Sequence, residues 1–352
     1  MKVKRKLLNA GLLAVAVGLG SSSVQAEPGM MRAVGNISVN KAQVDGAERP
    51  FFADLAKNTG IKTNVQYNPM DVVGINGSDA LRLLRSGAFD VMSVQIGMAA
   101  RDDPFFEGID LIGTAPSMQD MRKAVDAYRE VFDERLQKRF NAKVLTLWPF
   151  GEMITFCNAP LNTVSDISGK KVRVFTSSMA SVLGAFGATP VSLQLNEVYP
   201  ALQRGVVDCG VVAAGSAYAG KWHEVTSHVV PMSLGGAMQG HFVSLKHWNQ
   251  YDAQQQQALL AEFKKLEDRM WQLAVDENGA ALDCMTGKRA CQNGEKLAIK
   301  RIEVADADYA RLRETAQKIV LPNWAKNCNA VDPQCAATWN RTVGQALGLQ
   351  AE

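Results

Sequence analysis

Arg173 has the most specific chemistry open to it of any residue in this chain. It lies in a β-rich run, Lys171–Phe175, just before Thr176, Ser177 and Ser178, whose oxygens suit the N-cap of a following helix. A guanidinium presents a planar fork of N–H donors that matches a carboxylate. A helix N-terminus adds backbone N–H groups and the positive end of the dipole. Together these predict a carboxylate-binding site. Ser177 and Ser178 beside a cation are open to a nucleophile reading, but N-capping accounts for both. No G-x-S-x-G elbow, H-E-x-x-H pair or Ser–His–Asp spacing occurs. The four histidines, His223, His228, His241 and His247, lie far from CxxC-type spacing, so neither a metal nor a cofactor is expected.

The surrounding segments predict an α/β scaffold. Strands are expected at Met31–Val39, Ile61–Tyr67, Phe89–Gln95, Lys143–Trp148, Met153–Asn158, Lys171–Phe175, Pro190–Leu193 and Val206–Ala214. Helices are expected at Glu48–Asn58 (opening with Pro50), from Asn76–Ser78 to Gly87, from Ser117 to Phe140, after Thr176, and from Asn196 to Gly205. Strand–helix alternation of this kind makes an α/β fold. Leu84–Asp90 echoes Leu202–Asp208: in both, a helix ends at glycine and an apolar strand begins just before aspartate. That echo predicts two lobes of related build with a ligand cleft between them. From Asp252 to Cys284 apolar residues recur at 3–4 spacing, giving a helix of roughly 45 Å that bridges both lobes. The first lobe is expected to take residues 27–150 plus about 240–278. The second takes 151–239 plus about 279–352, including one or two tail helices.

The start of the chain reads as a cleavable secretory signal, residues 1–26. Lys2, Lys4, Arg5 and Lys6 precede an apolar core, Leu7–Gly20, and Val24-Gln25-Ala26 is an A-x-A-like cleavage site. No cysteine precedes Cys157, so a periplasmic chain without a lipid anchor is expected. Removing residues 1–26 takes away four basic residues and no acid, moving the formal charge from +3 to about −1. No basic run with interleaved aromatics survives, which argues against a nucleic-acid partner. In an oxidising compartment the six cysteines point to disulfides. Cys284 and Cys291 are seven apart, as are Cys328 and Cys335, each pair enclosing Gly, Asn or Pro suited to a small loop. Cys157 and Cys209 fall in β-like runs and are open to either buried thiols or a third bridge.

The segments GKKVRVF, GATPV and NEVYPALQRGVVD, within residues 169–209, resemble the substrate-binding subunits of TRAP transporters, the C4-dicarboxylate-type family. The pattern is a Gly-x-Lys-x-Arg strand, a Gly-Ala-x-Pro turn and a Glu-Val-Tyr-x-Ala-Leu-Gln-x-Gly helix leading to a strand that starts near aspartate. The resemblance implies an extracytoplasmic solute-binding protein, not an enzyme, with a two-lobed periplasmic-binding-protein-like fold. It implies an organic acid anion as ligand, and a small and a large membrane subunit as partners. The chain itself is expected to be monomeric. Arg173 matches the arginine that pairs with the ligand's carboxylate in that family.

Other positions transfer less directly. Met153 stands where some members place a second arginine, with Glu152 beside it as either a ligand partner or a loop cap. Val212 stands near a family asparagine, and Leu195 near a stacking aromatic. Gln95 ends a first-lobe strand at the expected cleft edge, Asn36 and Asn40 are open to either ligand contact or a turn role, and Phe150 flanks the crossing between lobes as packing or ligand contact. Val211, Val212, Ala213 and Phe150 make an apolar wall, which points to a monocarboxylate with an apolar or aromatic body. The rival readings are the binding protein of an ABC transporter or a sensor, and an exported hydrolase. For the exported protein, intact-mass measurement should place the mature N-terminus near Glu27; a mass that retains residues 1–26 would contradict the signal-peptide reading.

Overall fold

In the computed structural model, which describes residues 29–352, the chain builds two sheets; the predicted signal peptide lies outside the described residues. The strands are β1 (Met30–Gly35), β2 (Asn64–Pro69), β3 (Val91–Gln95), β4 (Ala142–Val144), β5 (Trp148–Pro149), β6 (Met153–Cys157), β7 (Lys171–Val174), β8 (Thr189–Ser192), β9 (Cys209–Ala213), β10 (His228–Val230), β11 (Met238–Ser244) and β12 (Lys300–Arg301). The first sheet runs β2-β1-β3-β11-β4, with β5 paired to β11. The second runs β12-β10-β6-β9-β7-β8. The two α/β lobes are those expected. In each, a parallel trio leads its C-terminal strand ends toward the same gap: β2-β1-β3 in the first lobe and β8-β7-β9 in the second.

The sequence echo is a repeated junction with the same bonding in both lobes. Gly87 and Gly205 end helices at φ 70° and 68°. The backbone N–H of Arg32 on β1 donates to Asp90 Oδ2 (2.8 Å), and that of Lys171 on β7 donates to Asp208 Oδ2 (2.7 Å). Each basic side chain also reaches the carbonyl of the helix-ending glycine, Arg32 to Gly87 (2.8 Å) and Lys171 to Gly205 (3.1 Å). The aspartate thus ties the first strand to the next αβ junction, fixing how far each strand extends into the gap. Two residues beyond the basic one stands Val34 in the first lobe and Arg173 in the second, both buried. The same scaffold position carries a hydrophobe on one side and a cation on the other.

Three connections join the lobes. The first crossing is Phe150–Glu152 and the second is residues 231–237. They bond to each other, Phe150 N–H to Gly236 O (3.1 Å) and Met153 N–H to Gly235 O (2.8 Å). The third is the helix Ala253–Met285, capped by Asp252. Its Leu259, Phe263, Leu266, Met270 and Leu273 pack in the first lobe's core, and its Ala281 and Met285 in the second's. It bridges the lobes as expected. Asn278 of this helix donates to Phe150 O (2.8 Å) and accepts from Gly215 N–H (2.9 Å), so one side chain holds the first crossing and the second lobe together. Gly151 at that crossing has φ 124°, and a Cβ there would lie 2.1 Å from Asn278 Nδ2.

Several expectations change. The helix placed at Glu48–Asn58 begins at Lys41, because a π-turn, Val44–Glu48, precedes Arg49–Thr59 and accommodates Pro50 inside a continuous helical run. Pro322 follows a second π-turn, Ala316–Val320, in the same way. The strand Met238–Ser244 was not expected, yet β11 lies between β3 and β4 in the first sheet. The tail was expected with the second lobe, but much of it packs on the first: Trp324 and Trp339 donate to Pro104 O and Gly108 O, and Arg135 pairs with Asp332. It also reaches the second lobe, where Arg311 stacks on Phe186.

Three disulfides are present: the expected Cys284–Cys291 and Cys328–Cys335, and Cys157–Cys209, for which the sequence left two readings open. The third joins directly opposed residues of β6 and β9, at the strand ends remote from the gap, and closes a loop of 52 residues. Replacing both its cysteines by alanine should lower stability by about 2–4 kcal/mol in denaturant unfolding; an unchanged midpoint would contradict a stabilising bridge. A second expectation concerns Asp110, whose carboxylate accepts N–H bonds from Gly236 (3.3 Å) and Met238 (2.6 Å) of the second crossing. Burial pushes its pKa up to about 7, those two N–H bonds oppose the rise, and nearby Glu107 adds to it. Between about pH 4 and 7 the folded chain therefore holds a proton that the unfolded chain does not. That contribution is complete below about pH 4 and is lost as pH rises through about 7. Thermal melts should fall across this window and fall less steeply in Asp110→Asn; equal slopes would contradict the assignment.

Candidate functional site

A cavity of about 540 Å³ lies between the lobes at the C-terminal strand ends. From the first lobe come Asn36 after β1, Gln95 of β3, Gln239 of β11 and the loop that includes Met70, Asp71 and Ile75. From the second come Arg173, Phe175, the helix start Gln194–Glu197, and Val212 and Ala213 of β9, with Phe150 and Met153 at the crossing. The lobes meet at the rims. Ser216 Oγ donates to Asn40 Oδ1 (3.1 Å) on one side. On the other, Gly97 comes so near Thr176 that a Cβ would lie 2.6 Å from its Cγ2.

Arg173 is 2% exposed. Its Nε donates to Leu193 O (2.9 Å) and its Nη1 to Val211 O (2.9 Å), while the ring of Phe175 lies 4.8 Å from Cζ. The guanidinium is therefore held by one carbonyl just past β8, one carbonyl of β9 and an aromatic face. Among the described residues Nη2 has no hydrogen-bond partner, and Arg173 forms no salt bridge. Burial pulls its pKa down to about 9, with only the more distant Glu197 opposing the shift, so it remains a cation at neutral pH. Glu197 is exposed and already accepts the backbone N–H of Gln194 (2.7 Å) as a helix cap. The result is a rigid, buried positive charge on the wall of an interlobe cavity, lacking a carboxylate of its own.

Seven of the eight residues singled out on sequence line this one cavity: Arg173, Gln95, Phe150, Met153, Leu195, Val212 and Asn36. Glu152 does not. It lies beside Gly151, whose φ of 124° turns the crossing there, and although its surface is exposed, partial burial raises its pKa. Val211, expected in the apolar wall, is fully buried behind it and serves through its carbonyl. The helix N-terminus after Arg173 is also taken. Thr176 caps it through Met179 N–H (3.2 Å), and Glu107 of the first lobe accepts Ser178 N–H (3.1 Å). Burial raises the pKa of Glu107. The acceptor at that helix start is thus the protein's own carboxyl, and the expected help to a ligand there is absent.

The structure adds a polar first-lobe wall that the sequence reading underestimated. Ser93, fully buried, accepts from Gln239 Nε2 (2.7 Å) and Asn36 Nδ2 (3.4 Å), and Asn40 Nδ2 donates to Asn36 Oδ1 (3.1 Å). Behind them, Glu48 accepts Asn36 N–H (2.8 Å), Tyr67 O–H (2.7 Å) and a bond from His241 Nε2 (2.9 Å), which locks the end of β1. The alternation in Met238–Ser244 was the available signal for β11 and hence for Gln239.

A family model described as bacterial extracellular solute-binding protein, family 7, matches residues 34–326. The C4-dicarboxylate-binding periplasmic protein DctP of Rhodobacter capsulatus is 26% identical over 290 residues, which cover 80% of this chain and 85% of that one. The sialic acid-binding periplasmic protein SiaP of Vibrio cholerae is 28% identical over 212 residues; that match covers 59% of this chain and 63% of the relative's length. Among solved structures, the Desulfovibrio salexigens TRAP periplasmic solute binding protein with bound orotic acid superposes with a TM-score of 0.77 at 15% identity, covering 91% of this chain and all of that one. Bordetella pertussis DctP7, a receptor binding pyroglutamic acid, gives 0.74 at 17% identity, covering 89% of this chain and all of that one. The fold is thus that of TRAP solute receptors, and the chain belongs to bacterial extracellular solute-binding protein family 7, whose members are periplasmic substrate-binding proteins and not enzymes. Among the described residues no helix is long and apolar enough to cross a membrane.

Proposed function

We propose that this family 7 receptor captures a monocarboxylate with an apolar or aromatic body, closes its lobes on it, and delivers it to a small and a large TRAP membrane subunit. The observation that carries the reading is the buried Arg173, whose Nη2 has no partner on a cavity wall shared by both lobes. A carboxylate there supplies the missing counter-charge and accepts from the open side of the fork. Closure of the lobes on the acid excludes water, which strengthens the pair relative to one in bulk solvent. Phe150, Phe175, Met153, Met70 and Val212 offer the body of the acid an apolar surface.

Closure follows from where the contacts sit. Arg173 belongs to the second lobe, while Asn36, Gln95 and Gln239 belong to the first, so only a shut cleft lets one solute touch both. The ligand stabilises that form by the contacts it makes there and not in an open one. The solutes named for structural neighbours, pyroglutamic acid, orotic acid and galacturonate, are all carboxylic acids. They differ in polarity, so the apolar preference rests on the residues of this chain.

Calorimetric titration with aliphatic, aromatic and polyhydroxylated monocarboxylates tests the reading. Apolar acids should bind, and Arg173→Ala should weaken them by about 2–5 kcal/mol, roughly thirtyfold to several thousandfold. Arg173→Ala binding as tightly as wild type, or tight binding of the polyhydroxylated acids alone, would contradict it.

A further inference from the structure

The first-lobe wall carries information about the other end of the ligand. Gln95 and Gln239 are directly opposed across β3 and β11, both at the cavity. Gln239 is 4% exposed, and its Nε2 is held by the buried hydroxyl of Ser93, 2.7 Å away. An amide pinned through its nitrogen has its oxygen direction set as well. Among the described residues Gln239 Oε1 has no hydrogen-bond partner, and neither end of the Gln95 side chain has one. Asn36, by contrast, is used at both ends, its Nδ2 by Ser93 and its Oδ1 by Asn40. Asp71 at the rim already accepts Ser38 N–H (2.8 Å). The first-lobe wall therefore presents one fixed acceptor, open to the cavity, with a free carboxamide beside it.

We infer that the ligand is bifunctional: a monocarboxylate that also carries a neutral O–H or N–H donor away from the carboxylate, with Gln239 Oε1 as the specificity-determining acceptor. The inference rests on the carboxylate reading of Arg173 and adds the far end. An acid lacking the donor leaves Gln239 Oε1 buried and unpaired when the cleft shuts, a cost comparable to a lost hydrogen bond. Ser93 is a positioning residue, since it is fully buried and acts through the two amides it holds. The apolar surfaces between the two ends then contact the ligand's middle.

The test uses the full mature chain and matched straight-chain acids. Butanoate, pentanoate and hexanoate are titrated beside their ω-hydroxy analogues, which add a donor, and their ω-methoxy analogues, which add only an acceptor. At the chain length that spans the cavity the hydroxy acid should bind about tenfold or more tightly than its parent, and the methoxy acid should gain nothing. In Gln239→Leu that ratio should fall close to one, and Gln239→Met, which keeps the length but removes the carboxamide, provides a second reading if the first variant melts early. Equal affinities of hydroxy and parent acids for wild type at every length, or a ratio unmoved by both variants, would overturn the inference. Arg173→Ala should weaken hydroxy and parent acids alike, whereas Gln239→Leu should act on their ratio. If no acid in the series binds wild type, the carboxylate reading fails and this inference falls with it.

Discussion

A guanidinium taken out of water without an acid beside it is the constraint around which this structure is arranged. Two carbonyls and an aromatic face hold Arg173, but none of them neutralises it. Leaving a buried charge uncompensated costs several kcal/mol, and a fold keeps such a group only where something supplies the opposite charge or the cost serves a purpose. The chain pairs a half-buried cation with acids elsewhere, as Arg135 shows with Asp103 and Asp332. At Arg173 it does not. Glu197, the nearest acid that acts on it, is committed to capping its own helix.

The rest of the architecture keeps that charge in one place while letting the opposite wall approach. Strand ends are fixed in both lobes by the same aspartate–glycine junction, Asp90 with Gly87 and Asp208 with Gly205. The crossings are bonded to each other, and Asn278 of the long helix holds the first of them to the second lobe, so the lobes share a narrow connected seam. Disulfide Cys157–Cys209 braces the far end of the second sheet, away from the ligand side. Motion between lobes is thereby separated from distortion within them, which is what a receptor needs if its cation is to meet the solute in a fixed geometry.

Much of this was legible in the sequence because it is local. The Lys171–Val174 strand, the glycine-ended helices, the capped helix from Asp252 and the closely spaced cysteine pairs all follow from short-range rules. What was not legible depends on partners distant in the chain. Glu107 occupies a helix start 71 residues away, so the N-terminus beside Arg173 looked open when read alone. Pro50 read as a helix start because the π-turn that accommodates it has no sequence signature of its own. Glu152 stayed open between ligand partner and loop cap because a one-residue turn at Gly151 is invisible in a pattern of residue types. Strand β11 carries Gln239, Gly240 and His241 in its first half, residues that do not read as a buried strand, which hid Gln239 and with it the polar half of the site. The apolar half, from the second lobe, was the part the strand patterns exposed.

The central claim is that Arg173 is the carboxylate receptor between the lobes. An electron-density map of the protein crystallised with its bound solute tests it most directly. The account predicts a carboxylate within about 3 Å of Arg173 Nη2, the ordinary span of a charge-assisted hydrogen bond. A solute that sits in the cavity with its carboxylate elsewhere, or that has no carboxylate, would contradict it.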